Sequence, residues 1–300
     1  MDGALIIDKP AGWTSHDVVA RVRKLTGQRR AGHTGTLDPF ATGVLVILLG
    51  RATRLAQFLS GAEKEYEAVI RFGYATDSGD VTGARIDDDR TAAMNRTREL
   101  QPEEIDAALD TLRGETEQIP PMYSAKKIGG KKLYELARRG DSVARQPVRI
   151  NVSEFVRLSE LSGNNDGCAD LRVRVVCSAG TYIRTLAEDL GSRLGVGAHL
   201  AALRRTRAGE FRIEAASTLE DLSENKLISP DIALAHLPFI DLSDADKLAA
   251  VHGKDLIVAD QPNWMEKQPV RMRAAGELIA VGVYDQAMGR LHPEVVIGGI

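Results

Sequence analysis

Six consecutive aliphatic residues, Val44 to Leu49, stand between Gly43 and Gly50 with no polar side chain among them. A run of that length bounded by turn formers predicts a strand buried on both faces, and with it a central sheet. Directly ahead of it, residues 32–43 read GHTGTLDPFATG and carry a single carboxylate, Asp38. Gly32, Gly35 and Gly43 permit backbone conformations closed to other residues, and Pro39 biases Asp38 towards extended backbone. An ordered loop that fixes one carboxylate beside a buried strand is an arrangement for chemistry. A phosphate cradle is the first rival, but no Gly-Lys-Ser/Thr follows and the loop holds no lysine, so a nucleotide triphosphate site is excluded.

The remaining pattern mixes strands and helices. Ala4 to Ile7 reads as a strand, and Ser15 as the N-cap of a helix from His16 to Thr26 that Gly27 ends. Ala52 to Leu59 predicts a short helix, and Glu65 to Phe72 a strand with alternating Tyr66, Ala68, Ile70 and Phe72. Residues 77–80 (DSGD) form a turn, and Gln101-Pro102 opens a helix to Leu112. Leu171 to Cys177 reads as a strand, Thr181 to Leu194 as a helix, and Arg207 to Ile213 as a strand after a basic turn. Helices and strands do not repeat as regular βαβ units, so an α+β fold with a mixed central sheet is expected. Residues 164–167 and 87–91 have the composition of exposed loop tips. A domain boundary is expected near His236-Leu237-Pro238, giving residues 1–237 and a small β-rich unit, 238–300, with strands at Lys254 to Asp260, Val270 to Ala274 and Glu277 to Tyr284.

With 43% hydrophobic but only 5% aromatic residues, the core must be mainly aliphatic. Cys168 and Cys177 match neither a metal-ligand spacing nor a disulfide framework. No 18-residue apolar run and no signal-peptide layout occur, so a cytoplasmic protein without membrane association is expected. The net charge of −3 hides a strong segregation. From Pro121 to Arg149 eight basic residues face two acidic ones, and from Glu214 to Glu266 eleven acidic residues face three basic ones. The first segment is able to neutralise phosphates, or is simply a solvated face; the second is unsuited to a polyanion.

The stretch Gly32 to Arg54, GHTGTLDPFATGVLVILLGRATR, resembles the catalytic motif of the TruB family, the bacterial tRNA pseudouridine 55 synthases. Four further segments agree in order: Ile7-Asp8-Lys9-Pro10 with Gly12, Thr14 and Ser15; Lys64-Glu65-Tyr66; Pro121-Met122-Tyr123-Ser124-Ala125; and Gly180-Thr181-Tyr182-Ile183-Arg184. The similarity continues through Gly197-Ala198-His199-Leu200 and Leu203-Arg204-Arg205. It implies a pseudouridine synthase fold followed by a PUA-like C-terminal unit, and a tRNA T stem-loop as partner. It also implies no cofactor or metal, and a monomer with no obligatory protein partner.

Converting uridine to pseudouridine cleaves the glycosidic bond, turns the uracil and rejoins it through carbon, which needs a positioned, ionised carboxylate and no redox step. Asp38 is that carboxylate by resemblance, attacking the ribose or abstracting a ribose proton; the two routes stay open. By residue type alone Arg184 reads as a surface ion-pair partner and Tyr66 and Tyr182 as amphipathic core residues. The resemblance instead pairs Arg184 with Asp38, stacks Tyr66 on the uracil as a catalytic residue, and lines the pocket with Tyr182 and Leu203. It gives His33 the task of holding the T loop with its uridine flipped out. Lys9 and Pro10 support the site, and Lys64 contacts phosphate. Residues 121–149 become an RNA-gripping insertion whose Lys126, Lys127, Lys131 and Lys132 meet the backbone, with Gly129-Gly130 a flexible point before a helix from Lys131 to Arg139. A non-catalytic RNA-binding protein, and an RNA-guided relative of the same enzyme fold, are the rival readings.

Overall fold

The computed structural model describes residues 1–86, 90–124, 126–128, 130–133, 136, 139, 141, 143–164, 167–258 and 263–299. A ten-stranded mixed sheet dominates it, with the principal order β1-β3-β11-β4-β10-β8-β5. These strands are β1 (Gly3–Lys9), β3 (Thr42–Leu49), β4 (Lys64–Phe72), β5 (Gly114–Gln118), β8 (Val148–Arg157), β10 (Ala169–Cys177) and β11 (Ala198–Ala208). Short β2 (Ala31–His33), β9 (Ser162–Gly163) and β12 (Phe211–Arg212) attach at β3, β10 and β11.

The aliphatic run behaves as its composition requires: from Gly43 to Leu49 every residue of β3 is buried. One face of the sheet meets helix α1 (Ser15–Thr26), where Val18 and Val22 pack against Leu45, Ile47 and Leu49. The tyrosine-bearing strand β4 buries alternate residues, Tyr66, Ala68, Ile70 and Phe72. Helices α4 (Pro102–Asp110) and α5 (Ile183–Leu194) cover that half, contributing Ile105, Leu109, Leu186 and Leu190. Each such side chain, fully buried, contributes about 1.5–3 kcal/mol relative to an exposed one. The strand order leaves β3 and β11 parallel while the other principal pairs run antiparallel, and Arg205 pairs with Gly43 on one side and Tyr66 on the other.

Towards the C-terminus the chain forms a second, five-stranded sheet, β13-β15-β16-β17-β14, with β13 at Phe239–Asp241, β14 at Leu256–Ile257, β15 at Pro269–Ala274, β16 at Glu277–Asp285 and β17 at Arg290–Val296. It has its own core around Val270, Met272, Ala280 and Leu291. A further cluster joins Leu278, Val281, Val295 and Ile297 to Ala4, Val46 and Leu48 of the large sheet. The fold class is therefore α+β with a C-terminal β-rich region, as the patterning predicted.

Several local expectations differ from the structure. Thr14, not Ser15, caps α1: its hydroxyl accepts from the Asp17 N–H while the Asp17 carboxylate accepts from the Thr14 N–H. That reciprocal box is the more stable closure of the first turn and frees Ser15 for other contacts. The basic motif at Arg204-Arg205 lies inside an eleven-residue strand, not in a turn, and only Phe211–Arg212 of the expected 207–213 strand pairs onward from Ala208. Lys131 and Lys132 form strand β7 against β6 (Lys127–Ile128), with Gly130 at φ +82° in the turn, so the expected helix does not begin at Lys131. Residues 129, 134, 135, 137, 138 and 140 of that expectation, and much of the two loop tips, lie outside the described residues. In the C-terminal sheet the described part of the expected 254–260 strand pairs only at Leu256–Ile257, residues 259 and 260 lie outside the described residues, and β13 and β17 were not anticipated.

Candidate active site

The Asp38 loop is pinned from three directions. Ser15 Oγ accepts from the Leu37 N–H at 2.9 Å and donates to the Leu37 carbonyl at 3.2 Å. The Lys9 ammonium, fully buried, donates to the carbonyls of Pro10, Trp13 and Pro39 at 2.9, 2.7 and 3.2 Å. Burial pushes its pKa down to about 8. Arg205, also buried, donates to the carbonyls of Val44, Thr36 and Gly35 at 2.7, 3.3 and 3.1 Å. Within the loop the Ala41 N–H donates to the Asp38 carbonyl at 3.1 Å, and Gly12 N–H holds Pro39 at 2.8 Å.

Asp38 meets Arg184 at the start of α5 through two contacts, Nε to Oδ2 at 3.0 Å and Nη2 to Oδ1 at 3.3 Å. A planar guanidinium matches a carboxylate in this two-pronged way and fixes its plane. Arg184 is itself held: Nη1 donates to the Ser78 carbonyl at 2.7 Å, Nη2 to the Tyr123 carbonyl at 2.6 Å, and Asp80 lies 3.7 Å from Nη1. The Asp38 side chain keeps 34% of its surface open to the cavity, whereas Arg184 is 4% exposed. Desolvation by the cavity walls pushes the Asp38 carboxyl above the usual aspartate range; Arg184 pulls it down, Asp80 pushes it up, and Lys9 pulls it down. The pull of Arg184 is present and burial outweighs it.

Asp38 and Arg184 sit between two connected spaces. A cavity of about 250 Å³ is lined by Asp38, Lys64, Tyr66, Tyr182, Leu203 and Arg205, with Ser178 to Thr181 at its rim. A cleft of about 640 Å³ continues past Asp38 and Arg184 to Thr14, His16, Ser78 and Asp80. Tyr66 is core and site at once: it is 8% exposed yet faces the cavity, and burial raises its phenol pKa while Arg205 beside it lowers it. Tyr182 is fixed by Gln118, whose Oε1 accepts from the Tyr182 N–H at 2.8 Å and whose Nε2 donates to its carbonyl at 3.1 Å.

Asp38, Tyr66, Arg184, Tyr182 and Leu203 are therefore brought together, although nearly 170 positions of sequence separate the first from the last. His33 stands outside both linings, its ring edge-on to His16 at 5.4 Å, and burial pushes its pKa down to about 4. Lys64 is buried, donates to the carbonyls of Ser60 and Ala62 at 2.6 and 2.5 Å, and burial lowers its pKa to about 8. Lys126 is half-buried, and Lys127, Lys131 and Lys132 lie on the β6–β7 hairpin. Sequence reasoning missed Ser15, Ser78, Asp80 and Arg205 as parts of the site. The Thr14-x-x-Asp17 capping pattern and the inward alternation of Leu203 with Arg205 were the available signals. Among the described residues, no group of three or more His, Cys, Asp or Glu side chains is placed to hold a metal ion, and no helix is long and apolar enough to cross a membrane.

Comparison with known proteins agrees with this geometry. Residues 23–183 match the TruB family pseudouridylate synthase N-terminal domain, and residues 184–234 the tRNA pseudouridylate synthase B C-terminal domain. A tRNA pseudouridine synthase B of Thermobifida fusca is 44% identical over 303 residues, covering 99% of each chain. One from Geobacillus kaustophilus is 47% identical over 252 residues, covering 81% of this chain and 87% of its own. Among solved structures, an H/ACA ribonucleoprotein bound to a substrate RNA containing 2'-deoxyuridine includes a chain 28% identical, with TM-score 0.74, covering 99% of this chain and 85% of that one. Two family models that together span residues 23–234, and near-full-length relatives well above 40% identity, lead to one conclusion: the chain belongs to the TruB family of tRNA pseudouridine synthases and is an RNA-binding isomerase.

Proposed function

We propose that the chain isomerises uridine 55 in the T loop of tRNA, with Asp38 as the catalytic carboxylate acting on a uridine flipped out of its stack. The observation that carries this reading is the two-pronged Arg184–Asp38 contact at the wall of a cavity that Tyr66 also lines. Flipping costs a few kcal/mol and is required, because the glycosidic bond of a stacked base is inaccessible to a carboxylate fixed inside the protein. The cavity takes the base, and Tyr66 and Leu203 bound it; Tyr66 stacks on the uracil. Asp38 acts on the ribose, as nucleophile or as base, and Arg184 keeps it ionised and aimed. His33 supports the extruded conformation from β2. The hairpin lysines of residues 121–149 hold the phosphate backbone, and residues 238–300 form a PUA-like unit from Pro238 onwards. The protein acts as a cytoplasmic monomer without cofactor.

The likeness to chains from H/ACA complexes, one described as Cbf5-Nop10-Gar1, supplies the second reading, an enzyme that needs partner proteins. One experiment addresses both. Purified protein is incubated alone with an unmodified tRNA transcript and pseudouridine is mapped, for wild type and Asp38→Asn. Modification at position 55 by wild type, and a loss of at least about a thousandfold in Asp38→Asn with tRNA affinity retained, is expected. Turnover by Asp38→Asn near the wild-type rate removes Asp38 from the mechanism, and inactivity of the wild type without partners favours the second reading.

A further inference from the structure

Arg205 lies on β11 where that strand runs between β3 and β4. Its backbone pairs in parallel with Gly43, at the end of the Asp38 loop, and in antiparallel register with Tyr66 on β4. The approach to β3 is close: a Cβ at Gly43, whose φ is +99°, would lie 2.2 Å from the Arg205 carbonyl oxygen, so only glycine fits. The Arg205 side chain then reaches back across the loop. Its Nε holds the Val44 carbonyl just after the loop, while Nη1 and Nη2 hold the Thr36 and Gly35 carbonyls ahead of Asp38. A single residue thereby ties both ends of the segment that carries the carboxylate. The same guanidinium lines the cavity with Tyr66, its register partner across β11 and β4, and its charge favours the ionised form of the phenol.

We propose that Arg205 is a positioning residue that sets the Asp38 loop and the Tyr66 phenol in a common register, so that both close on the same base. It touches no reacting atom in this scheme and acts through its two neighbours. A guanidinium is suited to the task because its planar fork serves several acceptors at fixed angles, which an ammonium cannot do from one point. Burial of the charge is tolerable because the carbonyls satisfy it. The cation also leaves a mark on Tyr66: its field stabilises the phenolate, so its removal should make the phenol harder to ionise.

This inference rests on the roles proposed above for Asp38 and Tyr66, and the test separates the two. Single-turnover rate at saturating tRNA, tRNA affinity and thermal midpoint are measured for wild type, Arg205→Lys, Tyr66→Phe and the double variant, with Asp38→Asn as control. Arg205→Lys should lose about 30-fold or more in rate while affinity stays within about threefold, since positioning is felt in the reacting state and not in binding. In the Tyr66→Phe background the same change should cost markedly less, the mark of two residues acting as a unit. Tyrosinate absorbance, taken as the difference from Tyr66→Phe, should rise at higher pH in Arg205→Gln than in wild type. If Arg205→Lys does not fold, Arg205→Gln, which keeps a donor for the carbonyls, carries the rate measurement as well. A folded variant with wild-type rate, or an unchanged Tyr66 titration together with fully independent losses in the double variant, overturns the proposal. An active Asp38→Asn overturns the underlying function instead, whatever Arg205 does.

Discussion

The Asp38 loop and the basic segment 121–149 both carry side chains assigned to function, and the two tasks make opposite demands on how those side chains are held. Around Asp38, buried groups from three distant places, Ser15, Lys9 and Arg205, grip the backbone on both sides of the carboxylate. In the basic segment, the described anchors include Leu133 and Leu136, which are buried, the Tyr123 carbonyl under Arg184, Arg145 donating to the Pro120 carbonyl at 3.0 Å, and the pairing of Val148 and Arg149 with β5. The contrast follows from the physics of each task. A reacting carboxylate misplaced by about 1 Å forfeits on the order of a hundredfold in rate. A phosphate grip works through charge over a screening length of about 8–10 Å and tolerates loose placement. Charge to be aimed needs bracing; charge to be sensed at a distance does not.

The largest expected break in this comparison on the chemical step, after loss of the carboxylate itself, comes from Arg184→Lys. The substitution keeps the charge but removes the fork that meets both Asp38 oxygens and the Ser78 and Tyr123 carbonyls. Turnover should fall by about a hundredfold. The pH dependence follows with a definite sign. On the proposed mechanism Asp38 acts ionised; its carboxyl is raised by burial, with Arg184 pulling it down. Weakening that pull raises the carboxyl further, so activity should be lost at a higher pH on the acid side than in wild type. A pH profile of single-turnover rate reads both effects; an acid limb that stays fixed or moves down rules out the pairing as the source of the ionised carboxylate.

A smaller loss is expected from Ser15→Ala. The hydroxyl both accepts from and donates to Leu37, the residue before Asp38, and its removal leaves a buried N–H without that partner at a cost of about 1–3 kcal/mol. Part of that cost falls on stability and part on the aim of Asp38, so the rate should drop by about tenfold with tRNA affinity unchanged. A variant that is destabilised but turns over normally once folded would show that the loop holds its shape through Lys9 and Arg205 alone.

How far the site was legible in the sequence follows the same division. The buried strand β3 was plain because six aliphatic residues admit little else, and Asp38 stood out because glycines and Pro39 frame it. Ser15 was misread as a cap because any serine before a helix has that affinity; the reciprocal Thr14–Asp17 bonds decided otherwise, and only then did Ser15 become free to reach 22 positions along the chain. Arg205 was misread as part of a basic turn, since charge near a chain reversal is common, and a buried guanidinium is revealed only by the carbonyls that satisfy it. The turn at Asp77 to Asp80 was recognised as a turn, but its role under Arg184 depends on a contact 106 positions apart, which local pattern does not encode. Lys64 shows the complementary limit: its type fits phosphate, and the carbonyls of Ser60 and Ala62 that its ammonium meets are not legible from that type.

The smallest effect on chemistry, and the sharpest test of the contrast, is expected from replacing Lys126, Lys127, Lys131 and Lys132 together by alanine. Lys127 and Lys132 are register partners in the hairpin and Ile128 pairs with Lys131, so the tight turn gathers three of the lysines onto two short strands. Each phosphate no longer neutralised by a lysine should remove roughly 0.7 to 0.9 from the slope of log affinity against log salt. Affinity should therefore weaken most at low ionic strength, where released counterions matter most, and converge on wild type as salt rises. The rate at saturating tRNA should change by no more than about twofold to threefold, because Asp38 and its braces lie on other elements. Measuring affinity at several salt concentrations beside single-turnover rates separates the two quantities. An unchanged slope with a collapsed rate would place the hairpin among the parts that aim the chemistry, and the division between charge that is aimed and charge that is sensed at a distance would then fail for this molecule.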